Sequence, residues 1–225
     1  MIFKVMEINT IEGLRDSLSK PKDLICKGEG QFENLAKALM NNFQIQKGKT
    51  RYWMTEIEFY LFTDEHRDII TYPRRSKAGM WFFHASGVDL SFESSFPDET
   101  PETFEQKPFL AKGAVFGGIL IRGIVPVKDI KRKVSGPIKV CDELFDQFNA
   151  LGGRVYFPKI VTAPKKRGVE PTKESRYGFS KDDKAKVHSI LSYNYRGYDE
   201  KAFPENELVK EYEKYRKEGL YRFKA

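Results

Sequence analysis

Cysteine and histidine are scarce in this 225-residue chain, which has two of the first (Cys26, Cys141) and three of the second (His66, His84, His188). Two thiols so far apart make neither a disulfide framework nor a metal-ligand spacing, and they read as free thiols of a reducing cytoplasm. So few histidines exclude a multi-histidine metal cage. His66 has Asp64 and Glu65 beside it, but a metal site needs more ligands than that. No stretch approaches the ~20 apolar residues of a membrane span. The opening "MIFKVMEINTIEG" lacks the apolar core and small-residue cleavage site of a signal peptide. A P-loop, a Gly-rich dinucleotide fingerprint and a Gly-x-Ser-x-Gly elbow are also missing, and "GKT" at 48–50 reads as a turn. Neither a metal nor an organic cofactor is expected.

Aromatic and basic residues, by contrast, are plentiful. Aromatics make up 14% of the chain and the net charge is +7. Residues 128–196 hold 16 Lys/Arg against 8 Asp/Glu, a local excess of +8 that exceeds the whole chain's balance. Its densest clusters are "KDIKRK" and "APKKRG". Cations interleaved with Tyr and Phe are what a phosphate backbone attracts, by counterion release and stacking.

The length fits one domain spanning 1–225. Phe32, Leu35, Leu39 and Phe43 at helical spacing predict a helix over about 31–43. Strands are expected over 51–62, over 80–92 ("MWFFHASGVDLSF") and over 117–127 ("GGILIRGIVPV"), and again in "RVYFPKIV" and "HSILSYNYRG". Gly87 suggests a bulge or a close backbone approach. "SGPIKVCDELFDQFNALGG" carries Pro at a helix start and Gly-Gly at its end. "ESSFPDETPETFEQKP" reads as an acidic surface loop, and "PENELVKEYEKYRKEG" as a charged C-terminal helix, a packed or solvated cover. The fold class is α+β, a single domain with a curved, mostly antiparallel sheet flanked by helices.

One strand stands out. In "MTEIEFYL" strict alternation puts Trp53, Thr55, Ile57, Phe59 and Leu61 on one face, and Tyr52, Met54, Glu56, Glu58 and Tyr60 on the other. Two acids beside aromatic residues suit either a solvated strand face or a catalytic carboxylate. Arg122, alone in an apolar strand, needs an ion-pair partner or a functional role. With nucleophile triads poorly supported, acid–base chemistry by a carboxylate is the best catalytic candidate.

The order of these segments resembles the alkyladenine (3-methyladenine) DNA glycosylase family over roughly 33–197, with 198–225 as a C-terminal helical extension. "NLAKALM" is similar to that family's N-terminal helix motif and "TEIEFYL" to its catalytic "ETEAYLG" strand. "DEHRDIITYPRR" is similar to its "D-x-x-x-H…T-x-R-N" loop, and "MWFFHASGVDLSF" to its "YVYxxYGMxxCxN" strand. "GGILIRGIVP" resembles "VLLRAxEP", and "SGPIKVCDEL" resembles "xGPxKLCxAL". "APKKRGVE" and "YNYRG" are weaker echoes of its C-terminal motifs.

The resemblance implies the methylpurine DNA glycosylase fold and base-excision repair: monofunctional hydrolysis of the N-glycosidic bond of an alkylated or otherwise modified purine. The flipped base would stack between aromatics while a glutamate activates water. Glu58 falls on the catalytic glutamate, with Arg122 holding it and the water. Tyr60, His66, Phe83 and Glu93 fall on pocket positions. Arg74, Arg75, Lys131, Arg132, Lys133, Lys165, Lys166 and Arg167 would contact DNA, and the protein would act as a cytoplasmic monomer without a membrane. Three positions depart from the family. Phe83 replaces a stacking tyrosine, Ser86 stands where an aromatic wedge is found, and Glu93 stands where the pocket has an asparagine. Two other readings stay open: a non-catalytic nucleic-acid-binding protein that retains the fold, and a hydrolase of free modified nucleosides.

Overall fold

The computed structural model describes residues 8–26, 30–96, 112–146, 151–152, 156–174, 187, 204–217 and 222–225. Among them, three helices precede the sheet: α1 (Ile11–Ser19), α2 (Asp23–Cys26) and α3 (Gln31–Asn42). Then come β1 (Phe43–Lys47), β2 (Thr50–Thr63), β3 (His66–Arg67), β4 (Trp81–His84), β5 (Gly87–Ser91), β6 (Phe116–Pro126), β7 (Val134–Ser135) and α4 (Pro137–Leu144). β8 (Lys159–Thr162), β9 (Thr172–Glu174), α5 (Glu205–Lys217) and β10 (Arg222–Lys224) complete the described chain. The expected strand in "HSILSYNYRG" and the acidic loop beyond residue 96 lie outside the described residues.

The strands form one sheet in the order β4-β5-β6-β2-β1-β8, with β3 and β10 also on β2, β7 on β6 and β9 on β10. Every pairing is antiparallel. The sheet curls enough for its two ends to meet. Trp81, on edge strand β4, donates its Nε1–H to the carbonyl of Pro158, just before edge strand β8 (2.8 Å). The α+β class and the curved antiparallel sheet therefore stand as expected.

The β2–β6 pairing corrects the strict alternation read from the sequence. Met54 faces Ile124 and Glu56 faces Gly123, but Ile57 then faces Ile121. Thr55 and Arg122 are each one residue extra, and the two bulges cancel. The core face is therefore Tyr52, Met54, Ile57, Phe59 and Leu61, joined by Ile119, Ile121 and Ile124 of β6. α1–α3 lay Leu14, Leu18, Leu24, Leu35, Leu39 and Met40 on that face, and α4 adds Val140 and Leu144. Leu14 and Leu18, Leu35 and Leu39, and Val140 and Leu144 stand four residues apart, on the apolar stripe of an amphipathic helix.

The segment 80–92 is a hairpin and not one strand. β4 and β5 pair through His84↔Gly87 around the two-residue turn Ala85–Ser86. Gly87 stands at φ +141, and a Cβ there would lie 2.9 Å from Cβ of Pro137, so α4 approaches this backbone as closely as only glycine allows. Of the two covers the sequence allowed, the C-terminal helix α5 is the packed one. Leu208 and Tyr212 are buried with Phe62, Ile69, Ala114 and Phe116 on the second face of the sheet.

Candidate functional site

The second face carries the charge. Cross-strand partners in an antiparallel pair project to the same side. Asp89 of β5 faces Leu120 of β6, Leu120 faces Glu58 of β2, Glu58 faces Arg222 of β10, and Arg222 faces Glu174 of β9. One row across five strands thus holds three acids, one base and a single leucine. Glu56 and Tyr60 flank Glu58 on the same side.

Around Glu58 the ion pairs are continuous. Arg122 brings Nη1 to 3.0 Å from Glu58 Oε2 and donates its Nε–H to Glu56 Oε1 (3.1 Å). Arg222 donates its Nε–H to the same Glu56 oxygen (3.0 Å) and reaches Glu174 through Nη2. Lys224 Nζ lies 3.7 Å from Glu174. Three carboxylates thus meet three cations. Glu58 is 2% exposed and Glu56 and Arg222 6% each, so the charges tolerate removal from water only because each has a partner. Arg122 and Tyr60 are partly exposed, as are Glu174 and Lys224 at the β9–β10 end, so solvent reaches the cluster at these residues.

The bulges create this arrangement. Arg122 is the extra residue of β6, which frees it from the regular alternation to reach both Glu56 and Glu58. Gly123 leaves the room opposite, since a Cβ there would stand 2.7 Å from Thr55 Oγ1 and 3.1 Å from Cβ of Glu56.

A second buried constellation lies at the β5 end of the row. Arg74 Nη1 donates to Asp89 Oδ2 (2.5 Å), and His84 Nε2 donates to Asp89 Oδ1 (3.0 Å). The backbone N–H of Ser86 donates to His84 Nδ1 (3.3 Å), fixing the ring's tautomer. Arg74 lies over the Phe82 ring at 4.0 Å, and the Tyr72 and His84 rings meet at a tilt, 4.6 Å between centroids. Burial alone would push the Asp89 carboxyl up, but the charge of Arg74 and the hydrogen bond and charge of His84 outweigh it and hold Asp89 below the ordinary aspartate range. Gly118 of β6 admits Arg74, as a Cβ there would lie 2.9 Å from its Nη1.

The sequence-derived site residues do not all converge. Glu58, Arg122 and Tyr60 share one face. Phe83 is the neighbour of Phe82 on β4 and therefore points to the opposite face, half-exposed and edge-on to Phe145 (4.7 Å). It cannot sandwich anything with Tyr60. His66 pairs with Thr63, donates its Nδ1–H to the carbonyl of Leu61 (2.7 Å) and lies 6.1 Å from the Phe32 ring, buried on the core side. Glu93 accepts from the Ala78 N–H (2.7 Å) and from Lys77 Nζ (2.9 Å) in the loop after β5. Those two donors hold its carboxyl below the usual range even though burial, the largest influence, pushes it up.

Two of the expected DNA contacts also move. Arg74 is 2% exposed and committed to Asp89, so it is no surface cation. Arg167 is half-buried, donating to the Met54 carbonyl (3.2 Å), and desolvation holds its guanidinium below the ordinary arginine value. Lys131, Lys133, Lys165 and Lys166 are exposed. Arg132 is exposed with Glu143 as its partner, and Arg75 lies over the Phe96 ring at 5.0 Å.

Sequence reasoning missed Arg222, Asp89 and His84 as parts of these clusters. "RFK" alternates charged and apolar residues at strand period, and "VDLSF" sets Asp89 and Ser91 between Val88, Leu90 and Phe92. Both signals were there to be read. Cys141 is no nucleophile candidate, because burial and Asp142 push its thiol up. Among the described residues no three His, Cys, Asp or Glu are placed to hold a metal ion, and no helix is long and apolar enough to cross a membrane. Comparisons of the chain with protein-family models, with curated proteins and with solved structures returned no match.

Proposed function

We propose that this chain hydrolyses the N-glycosidic bond of a modified purine in DNA, with Glu58 as the catalytic carboxylate. The observation that carries this reading is Glu58 ion-paired with Arg122 at 3.0 Å, with the partly exposed Tyr60 beside Glu58 on the same face. The similarity of "TEIEFYL" and "GGILIRGIVP" to two glycosylase strand motifs points the same way.

In the reaction, a water oxygen bonds to C1′ of the sugar as the bond from C1′ to the purine nitrogen breaks. Its electron pair leaves with the base. Glu58 accepts the water's proton and faces the positive charge that develops on the sugar, as carboxylates do for O-glycosides. Arg122 orients Glu58, and Glu56 and Arg222 orient Arg122. Tyr60 offers a stacking surface for a base turned out of the duplex, which recovers part of the few kcal/mol that unstacking costs. With Phe83 on the other face, Phe82, the cross-strand partner of Asp89, stands at the β4 end of this row and takes its place in the reading.

The test is incubation of the protein with duplexes that carry an alkylated purine or hypoxanthine, followed by strand cleavage at abasic sites. Release of either base supports the reading, and intact strands for every lesion overturn it. A second reading, a nucleic-acid-binding protein without excision, draws on the failure of Phe83, His66 and Glu93 to gather around Glu58. Salt-sensitive duplex binding without base release would establish it.

A further inference from the structure

A cleft of about 410 Å³ opens at the far end of β2, between the β1–β2 turn, the end of β6 and the segment before β8. It lies some six residues along β2 from Glu58, about 20 Å at the usual rise of a strand. The site described above does not use it.

Its walls combine rings and cations. Gly48 forms the turn at φ +56, and the ring of Tyr156 lies over it, 3.5 Å from where a Cβ would stand. Nearly half of Tyr156 is nonetheless exposed (46%), and its neighbour Phe157 is 66% exposed. These two aromatics do not hang from a loose segment. Pro158 is pinned by Trp81, and Lys159 and Ile160 pair with β1. Lys49 is exposed on the turn, and Arg132 projects from the opposite wall with 57% of its side chain in solvent.

The floor is tied down. Tyr52 donates its O–H to Glu143 Oε1 (2.7 Å), Arg132 holds the same carboxylate, and Lys47 Nζ donates to the Glu143 carbonyl (2.6 Å) and to Asp146 (2.5 Å). Glu143 and Asp146 are thus engaged by residues of the floor and wall. Among the described residues Asp129 is the one acid that lines the cleft, against three cations. Lys128, Lys131 and Lys133 stand exposed along the adjoining loop.

A rigidly held, half-exposed ring between cations is how proteins take hold of single strands. Every base offers a π-face, and the flanking phosphates find the charges. We propose that this cleft binds an unpaired nucleobase of single-stranded nucleic acid, the base stacked on Tyr156 and its phosphates on Lys49 and Arg132. The site is independent of the reaction assigned to Glu58.

The experiment is fluorescence anisotropy of a labelled oligothymidylate with the full chain at low salt. Tyr156→Ala should weaken binding roughly 5- to 150-fold, the range for losing one base–aromatic stack, whereas Tyr156→Phe should leave it unchanged. An oligonucleotide with abasic sites throughout should bind the wild type as weakly as oligothymidylate binds Tyr156→Ala. Lys49→Ala should flatten the log–log salt dependence by roughly 0.7. Tyr156→Ala binding as tightly as wild type, equal affinity for the abasic strand, or no binding at low salt would each overturn the proposal. Glu58→Gln should bind the oligonucleotide normally, so this assay and base excision fail separately.

Discussion

The two faces of β2 come from neighbouring residues of one strand, yet they are held by opposite means. On one side Phe59 is fully buried among Phe32, Phe92 and Phe223, at centroid distances of 5.1, 6.5 and 5.7 Å. On the other, Glu58 is almost as deeply buried among arginines. The first face gains from every apolar contact. The second removes charges from water and regains that cost only while each ion keeps its partner, and a well-packed apolar substitute is often as stable or more so. Stability alone therefore explains the Phe59 face and leaves the Glu58 face without a sufficient reason.

The largest loss is expected on the apolar face. Phe59→Ala should lower the unfolding free energy by about 3–5 kcal/mol, the cost of emptying a packed aromatic site, as read by urea denaturation. Arg222→Ala should come close, at about 3 kcal/mol, because Glu56 loses one of two cations and Glu174 is left with Lys224. Gly123→Ala should cost about 1–3 kcal/mol, since the new Cβ displaces Thr55 and Glu56 and spoils the bulge. If Arg222→Ala instead left stability untouched, the contrast between the faces would collapse.

A smaller, pH-dependent effect is expected from Asp89. Its folded-state pKa is depressed, so its contribution to stability is present above the unfolded value of about 3.9 and fades as pH falls through the folded value. Acid unfolding of the wild type below about pH 4 should therefore be steeper than that of Asp89→Asn, as read by circular dichroism. The smallest stability effect belongs to the exposed cations. Replacing Lys131 and Lys133 by Glu should shift stability by less than about 0.5 kcal/mol, while duplex binding weakens and its log–log salt slope falls by roughly 0.9 per lost phosphate contact.

Much of this was legible before any coordinates. The 3.6-residue stripe of α3, the apolar runs of β2 and β6, and the lone Arg122 all followed from residue types and periodicity. The bulge did not follow, because Thr55 suits a regular strand as well as a bulged one, and only the pairing with Gly123 exposes the slip. That single residue moved Tyr52 and Met54 to the core face. Phe83 was misplaced for a related reason. A two-residue turn at Ala85–Ser86 fixes which ring of "WFFH" faces Asp89, and Phe82 takes that place. Arg222 was passed over although "RFK" alternates at strand period, because three residues are a short signal and its partner Glu56 is distant in sequence.

The central claim is that Glu58 serves chemistry and is tolerated by the fold. Glu58→Gln keeps the shape and removes the charge that binds Arg122. Unfolding free energy and base release should be measured on the same preparation, with an alkylated purine in duplex DNA. The expected result is a modest stability change, at most about 3 kcal/mol, unchanged duplex affinity, and loss of excision. Excision that persists in the folded variant, or stability and DNA binding lost together with it, would contradict the claim and make Glu58 one more structural ion.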